Sequence, residues 1–336
     1  YGPPRELNTR RILFVVFGVI GALLIGCGIV LLLAHNWEGL PRPLRAGLCF
    51  ALLLAAQGLA LGAARWRPDS EIWTEGSAGF LSVALLTCIS LIAQTYQMGG
   101  DLRALLLVWI VLTLPIAYLL SSRLAMAICW LGATQWIVEA PGRTFSFTDY
   151  ATYLVFVILA APFLVRLFRS DRREPRNALL GWVVCGCLVL AGAALGGWPD
   201  IGLRPPLYAG MLGSSYALGL WLARPGDEPL AAWRRPFLVA GALGLGVLLL
   251  VCSFQEMWKT EWNWVVSSGG IAGPALAIAI VLALSAASCI AGVRLLKKGQ
   301  PGRGLLACTP LLIVTGWAAG LDHGNSFAIM LVVNLY

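Results

Sequence analysis

Charge is what this sequence has least of. Asp, Glu, Lys and Arg make up 12% of its 336 residues, where a soluble globular domain carries about a quarter. With 59% of the residues apolar, too little polar surface remains to hold a particle in water. No stretch reads as a separate soluble domain. Sequence elements of several chemistries are missing as well. There is no G-x-S-x-G elbow for a hydrolase serine, and no Walker or dinucleotide-binding glycine loop, so nucleotide-driven work would need a partner. Histidine occurs only as His35 and His323. A zinc site needs three or four ligands, which these two, with Glu38, Asp101 and Asp322, supply only if distant segments converge. No metal and no cofactor is therefore expected. No ionisable side chain falls near the middle of an apolar run, which argues against a buried proton relay.

What is present is a long series of apolar runs. They lie at 12–34, 44–64, 77–94, 104–120, 123–139, 151–168, 178–197, 206–223, 237–254, 271–293, 304–320 and from 325 onward. About 20 apolar residues make one crossing, so the expected fold is an all-α polytopic bundle of about twelve transmembrane helices with short loops. The last run is too short to cross by Tyr336, and the chain starts at Tyr1, which together predict a piece of a longer polypeptide. Thr9-Arg10-Arg11 looks like a twin-arginine signal, but the apolar run after it is too long and lacks a small-residue cleavage site. It reads as a retained first span.

The nine cysteines (27, 49, 88, 129, 185, 187, 252, 289 and 308) all lie in these runs and read as small packing residues. Cys185 and Cys187 diverge by roughly 200° on one helix, so they cannot readily share a metal.

The net charge of +8 sits in loops, with Arg166, Arg169, Arg172, Arg173 and Arg176 as the largest group. No dense basic patch with interleaved aromatics suggests nucleic acid. If the N-terminus is cytoplasmic, 18 of the 24 Lys and Arg fall on that side and 6 opposite, while the 16 acidic residues divide evenly. That bias is the positive-inside pattern, and it predicts a bacterial inner-membrane protein with a cytoplasmic N-terminus. The lipid bilayer is its first partner.

The whole chain, 1–336, reads as one transmembrane domain. Trp37 to Leu44 and Trp198 to Leu207 share Trp, an acid, Gly-Leu, Arg-Pro and Leu in order. This similarity raises a division into two six-span halves, 1–172 and 173–336. Inside the runs, Gly18, Gly21, Gly26, Gly28, Gly241, Gly244 and Gly246 are expected to allow close helix approach. Pro115, Pro162, Pro274 and Pro310 are expected to bend their helices. Gln57, deepest of the large polar side chains, is expected to hydrogen-bond between helices or to touch a substrate.

Candidate functional residues gather in the short non-cytoplasmic loops. Asn36, Trp37 and Glu38 follow the first span, with His35 just before them. Gln94, Tyr96, Gln97 and Asp101 follow the third, around Gly99-Gly100, which should end that helix. Asp322 and His323 follow the eleventh and are weaker candidates. Gln94 and Gln97 are costly near hydrocarbon unless their amides find partners, so one polar cluster of Asn36, Trp37, Glu38, Gln94, Tyr96, Gln97 and Asp101 is expected at the outer boundary. Trp258 and Trp262, four residues apart, fit either sugar stacking or an interfacial aromatic belt.

Two segments carry a resemblance. Asn36-Trp37-Glu38-x-Leu40-Pro41-Arg42, after a Gly-rich first span, and Ile92 to Asp101, ahead of a Leu- and Trp-rich fourth span, resemble bacterial predicted membrane proteins known as domain of unknown function 2157. The resemblance covers roughly the first 140 residues. It implies a multi-spanning architecture with a short cytoplasmic segment ahead of span one, and it brings no activity with it. Three readings of function stay open. The chain is a carrier or flippase for a small polar or lipid-linked solute, with a pocket open to the periplasm. Alternatively, it is a non-catalytic subunit or assembly factor among other membrane subunits, or an envelope enzyme acting on a lipid-linked substrate.

Overall fold

In hydrocarbon, every backbone N–H and C=O must find its partner within the segment or an adjoining strand, and the apolar runs accordingly fold as helices. The computed structural model describes residues 39–139, 147–170, 174–195, 204–222, 232–253 and 272–319. Ten α-helices follow one another: α1 Arg42–Trp66, α2 Glu71–Thr95, α3 Leu102–Leu119, α4 Arg123–Val138, α5 Phe147–Ser170, α6 Pro175–Leu195, α7 Arg204–Leu222, α8 Pro236–Cys252, α9 Ala272–Lys297 and α10 Pro301–Ala319. A 3₁₀ turn, Ala232–Arg234, leads into α8, and no strand occurs among the described residues.

The all-α architecture is as expected, and each helix falls on one of the apolar runs. Six of the helices are long and apolar enough to cross a membrane: α1, α2, α3, and most of α5, α6 and α9. The helices α4 and α8 are apolar but have 16 and 17 residues, about 24–26 Å against roughly 30 Å of hydrocarbon. Length and apolarity thus support several crossings, and twelve is more than they establish. The runs at 12–34 and from 325 onward lie outside the described residues.

The surface is the inverse of a soluble protein's. Leu61, Trp66, Ile72 and Leu119 are 71–83% exposed, a pattern that needs hydrocarbon around it. Every described charge lies near an end of its helix or outside it.

With lipid on one side and apolar side chains on the other, burial alone drives little association, and close contact between small residues takes over. Cys49, Ala56, Ala60 and Ala63 form one face of α1, spaced by seven, four and three residues, and α1 packs chiefly on α2. The buried set of α2 includes Ser77, Ala78, Gly79, Ser82 and Ala84. Trp109 of α3 spans this region. Its Nε1 donates to the Ser82 carbonyl at 2.7 Å, and its ring lies 2.8 Å from where a Gly132 Cβ would stand in α4. The main core continues through Met126, Trp130 and Ile137 of α4 to Phe156 and Phe163 of α5 and Val184 of α6.

On the other side, α7 packs against α8, α9 and α10 together. A Cβ on Gly241 would come within 2.6 Å of the Tyr216 backbone nitrogen, and one on Gly244 within 2.5 Å of Leu212. These two glycines let α8 approach α7, as expected. Gly246 faces open space and has no such role. Gly219, which hydropathy did not single out, does: its Cβ would lie 2.5 Å from the Leu238 nitrogen.

The prolines divide likewise. Pro115, Pro162 and Pro310 lie inside α3, α5 and α10. Pro274 falls in the first turn of α9, where the missing N–H would have had no helical partner anyway, so it starts that helix and does not bend it. At Pro162 the α5 ladder is interrupted, and the Tyr118 hydroxyl enters the gap. It donates to the Leu159 carbonyl and accepts from the Phe163 N–H at 3.2 Å.

Six of the eight described cysteines are buried, in keeping with packing roles.

Candidate functional site

Of the proposed polar cluster, Gln94, Tyr96, Gln97 and Asp101 are described. Asn36, Trp37, Glu38, His35, Asp322 and His323 lie outside the described residues, as do Gly18, Gly21, Gly26, Gly28, Trp258 and Trp262. The four described residues are all exposed, Gln94 in the last turn of α2 and the others on the connection to α3. The glycines were expected to turn the chain, yet Gln97 does it. With φ 50° it occupies the left-handed region. Gln97 N–H donates to the Gln94 carbonyl at 3.2 Å and Met98 N–H to the Ala93 carbonyl at 2.9 Å. That pair is the Schellman closure of a helix end.

A glutamine in this conformation costs about 1 kcal/mol that glycine would not. The α9 terminus makes the same closure with Gly299 at φ 71°. Asp101 then begins α3. Its Oδ1 accepts the Ala104 N–H at 2.9 Å, a side-chain cap of the usual kind. Asp101 therefore braces a helix end.

Two residues beyond that cap, Arg103 makes a partly buried pair that hydropathy counted only as a loop charge. Its Nη2 lies 2.7 Å from Asp149 Oδ1 in the first turn of α5. The guanidinium also stacks over the Trp136 ring at 4.5 Å, and its Nε donates to the Trp136 carbonyl at 3.3 Å. The N-termini of α3 and α5 and the C-terminus of α4 are thus held at one end of the molecule.

The opposite end holds the most extensive polar arrangement, and loop counting missed it. Glu75 of α2 reaches the N-terminus of α4, where Oε1 accepts the Arg123 N–H at 3.0 Å and Oε2 the Leu124 N–H at 2.9 Å. The same carboxylate accepts from the Ser122 hydroxyl, while Ser122 Oγ caps Ala125 N–H at 3.1 Å. A negative charge there meets the positive end of the helix dipole. Arg123 forks onto Glu174 at 3.0 and 2.7 Å and lies 3.7 Å from Glu71. Arg176 closes the ring by pairing with Glu71. The N-termini of α2, α4 and α6 therefore meet at this end, which fixes their alternating direction. Ser122 immediately before an apolar run is a legible cap signal. Which acid would reach it depends on packing.

Gln57 is exposed on α1, about 100° around the helix from buried Ala56, without a hydrogen-bond partner among the described residues. The helix α2 covers the alanine face instead. Among the described residues no three His, Cys, Asp or Glu side chains converge as a metal site would require.

Apolar helices with lipid-compatible outer faces and charge confined to their ends define a multi-helix integral membrane protein. Residues 1–126 match the family model described as predicted membrane protein, DUF2157, so over that stretch the chain is similar to the family its two sequence segments suggested. No curated protein and no solved structure matches the chain.

Proposed function

We propose that the chain is a bacterial inner-membrane carrier, flippase-like in kind, for a small polar or lipid-linked solute that enters at the Gln94–Asp101 end. The observation that carries this reading is Gln97. A left-handed glutamine stands where glycine would relax the turn, which favours a role for its exposed amide. Asn36, Trp37 and Glu38 belong to the same polar cluster in this proposal, on the sequence pattern alone. The ring of Glu71, Glu75, Arg123, Glu174 and Arg176 supports an opposite end that is held closed. The absence of charge from the middle of the described helices favours a solute moved without a buried proton relay.

Gln97→Gly separates this reading from simple bracing. The variant is expected to be more stable by about 0.5–1 kcal/mol, since glycine relieves the left-handed strain, as measured by thermal unfolding in mild detergent. Mass spectrometry of the same preparations is expected to find a polar or lipid-linked solute with the natural chain and not with the variant. Equal retention by both would leave Gln97 a helix terminus and nothing more. Recovery of a stoichiometric membrane protein in place of a solute would favour the subunit reading.

In the same proposal the chain crosses about twelve times from a cytoplasmic N-terminus. Single cysteines at Ser170 and Ser146, in a background lacking reactive thiols, are expected to label from opposite sides. Labelling of Ser170→Cys by an impermeant reagent in intact cells would invert the topology.

A further inference from the structure

The described arginines are of different kinds. Arg103, Arg123 and Arg176 each meet a carboxylate. Arg166, Arg169, Arg234 and Arg235 meet none among the described residues, and they converge on one corner. Arg166 and Arg169 occupy the last turns of α5, Arg234 and Arg235 the entry to α8. The Phe168 and Phe237 rings, 5.1 Å apart and edge to face, join these two elements. Arg169 stacks over Trp221 at the end of α7 at 4.3 Å. Arg234 lies over Trp233 at 5.2 Å, and the Trp233 carbonyl is tied to Trp182 of α6 at 2.8 Å. The Nε of Arg234 is buried and has no hydrogen-bond partner among the described residues. That is costly for a guanidinium, whose planar fork suits a carboxylate or phosphate.

We infer that this corner binds the phosphate headgroup of an anionic phospholipid. The position selects the ligand. Trp221 and Trp233 are 54% and 47% exposed at the ends of apolar helices, the depth at which indole rings meet headgroups. Leu179, on the first turn and a half of α6, is 67% exposed and offers apolar surface for an acyl chain on the helix whose Trp182 meets the Trp233 carbonyl. A basic corner between helix ends, with aromatic walls and no acid meeting its arginines among the described residues, matches the charge of a phosphodiester. The inference holds whether or not a solute is carried.

The full chain, purified in a neutral detergent, would be titrated with phosphatidylglycerol, with phosphatidylcholine and with inorganic phosphate. The thermal midpoint would be followed alongside native mass spectrometry. Phosphatidylglycerol is expected to raise the midpoint and appear as a retained adduct, the other two to do neither. Arg169→Gln with Arg234→Gln is expected to raise the half-saturating lipid concentration about tenfold or more. Arg65→Gln with Arg67→Gln, the same change of two charges at the end of α1, should leave it within about twofold. Equal losses in both would mean diffuse attraction and overturn the site, and an equal response to inorganic phosphate would overturn the lipid assignment. Should the double variant not purify, Trp221→Leu removes a stacking wall and no charge. It should weaken binding several-fold, and unchanged binding would overturn the inference.

Discussion

Replacing Arg123 by alanine is expected to destabilise the protein by about 1–3 kcal/mol, between the cost of breaking an exposed ion pair and that of stranding half of a fully buried one. The side chains of Arg123 and Glu174 are 17% and 19% exposed, so solvent rehydrates the carboxylate left behind only in part, with Arg176 4.0 Å away. Glu71 and Arg176, 51% and 52% exposed, are more freely solvated and would contribute about 1 kcal/mol or less. Pairing Arg123→Met with Glu174→Gln removes both partly buried charges and should recover most of the loss. Denaturant titration in mixed micelles gives the three free energies. A loss below about 1 kcal/mol for Arg123→Ala would place the pair with ordinary surface contacts. The carboxylate of Glu75 still caps α4 through backbone N–H groups in each variant, so the helix end itself should persist.

The second large effect is expected at the α7–α8 crossing. Gly241→Ala would place a Cβ 2.6–2.7 Å from the backbone N and Cα of Tyr216. Backbone cannot yield as a flexible side chain can, so the two helices must separate, at a cost of about 1–3 kcal/mol, with a bulkier substituent costing more. Gly246→Ala, one and a half turns further along α8 and facing open space, is the internal control. It should be neutral or stabilising by up to about 1 kcal/mol through helix propensity. Thermal unfolding of the two variants side by side checks the prediction, and equal midpoints would remove the close crossing as the explanation.

Much of the fold was legible from composition alone. Hydrocarbon imposes the same requirement on every run, internal hydrogen bonding by a helix, so ten apolar segments between residues 44 and 320 were recognisable as helices without knowing their neighbours. The sorting of charge to helix ends was equally legible, because a charge mid-span is costly wherever it points. Packing faces were less so. Gly241, Gly244 and Gly246 look alike in sequence, and only the direction from which α7 arrives separates the first two from the third. Gln57 suffered the same ambiguity, since which side of α1 receives α2 is set by the Ala56, Ala60 and Ala63 face.

The polar sites show the sharper division. By itself the sequence determined that Gln94 to Asp101 forms a polar turn at a helix end, since the residues are contiguous and local hydrogen bonds suffice. It pointed to Gly99-Gly100 as the turn. The choice of Gln97 for the left-handed position came from where α2 stops, which packing sets. Only the tertiary structure decided that Glu75 caps α4, that Arg123 bridges to Glu174, and that Arg169 and Arg234 share a corner. Those contacts join residues dozens of positions apart, and their pairing depends on which helix ends the bundle brings to one side.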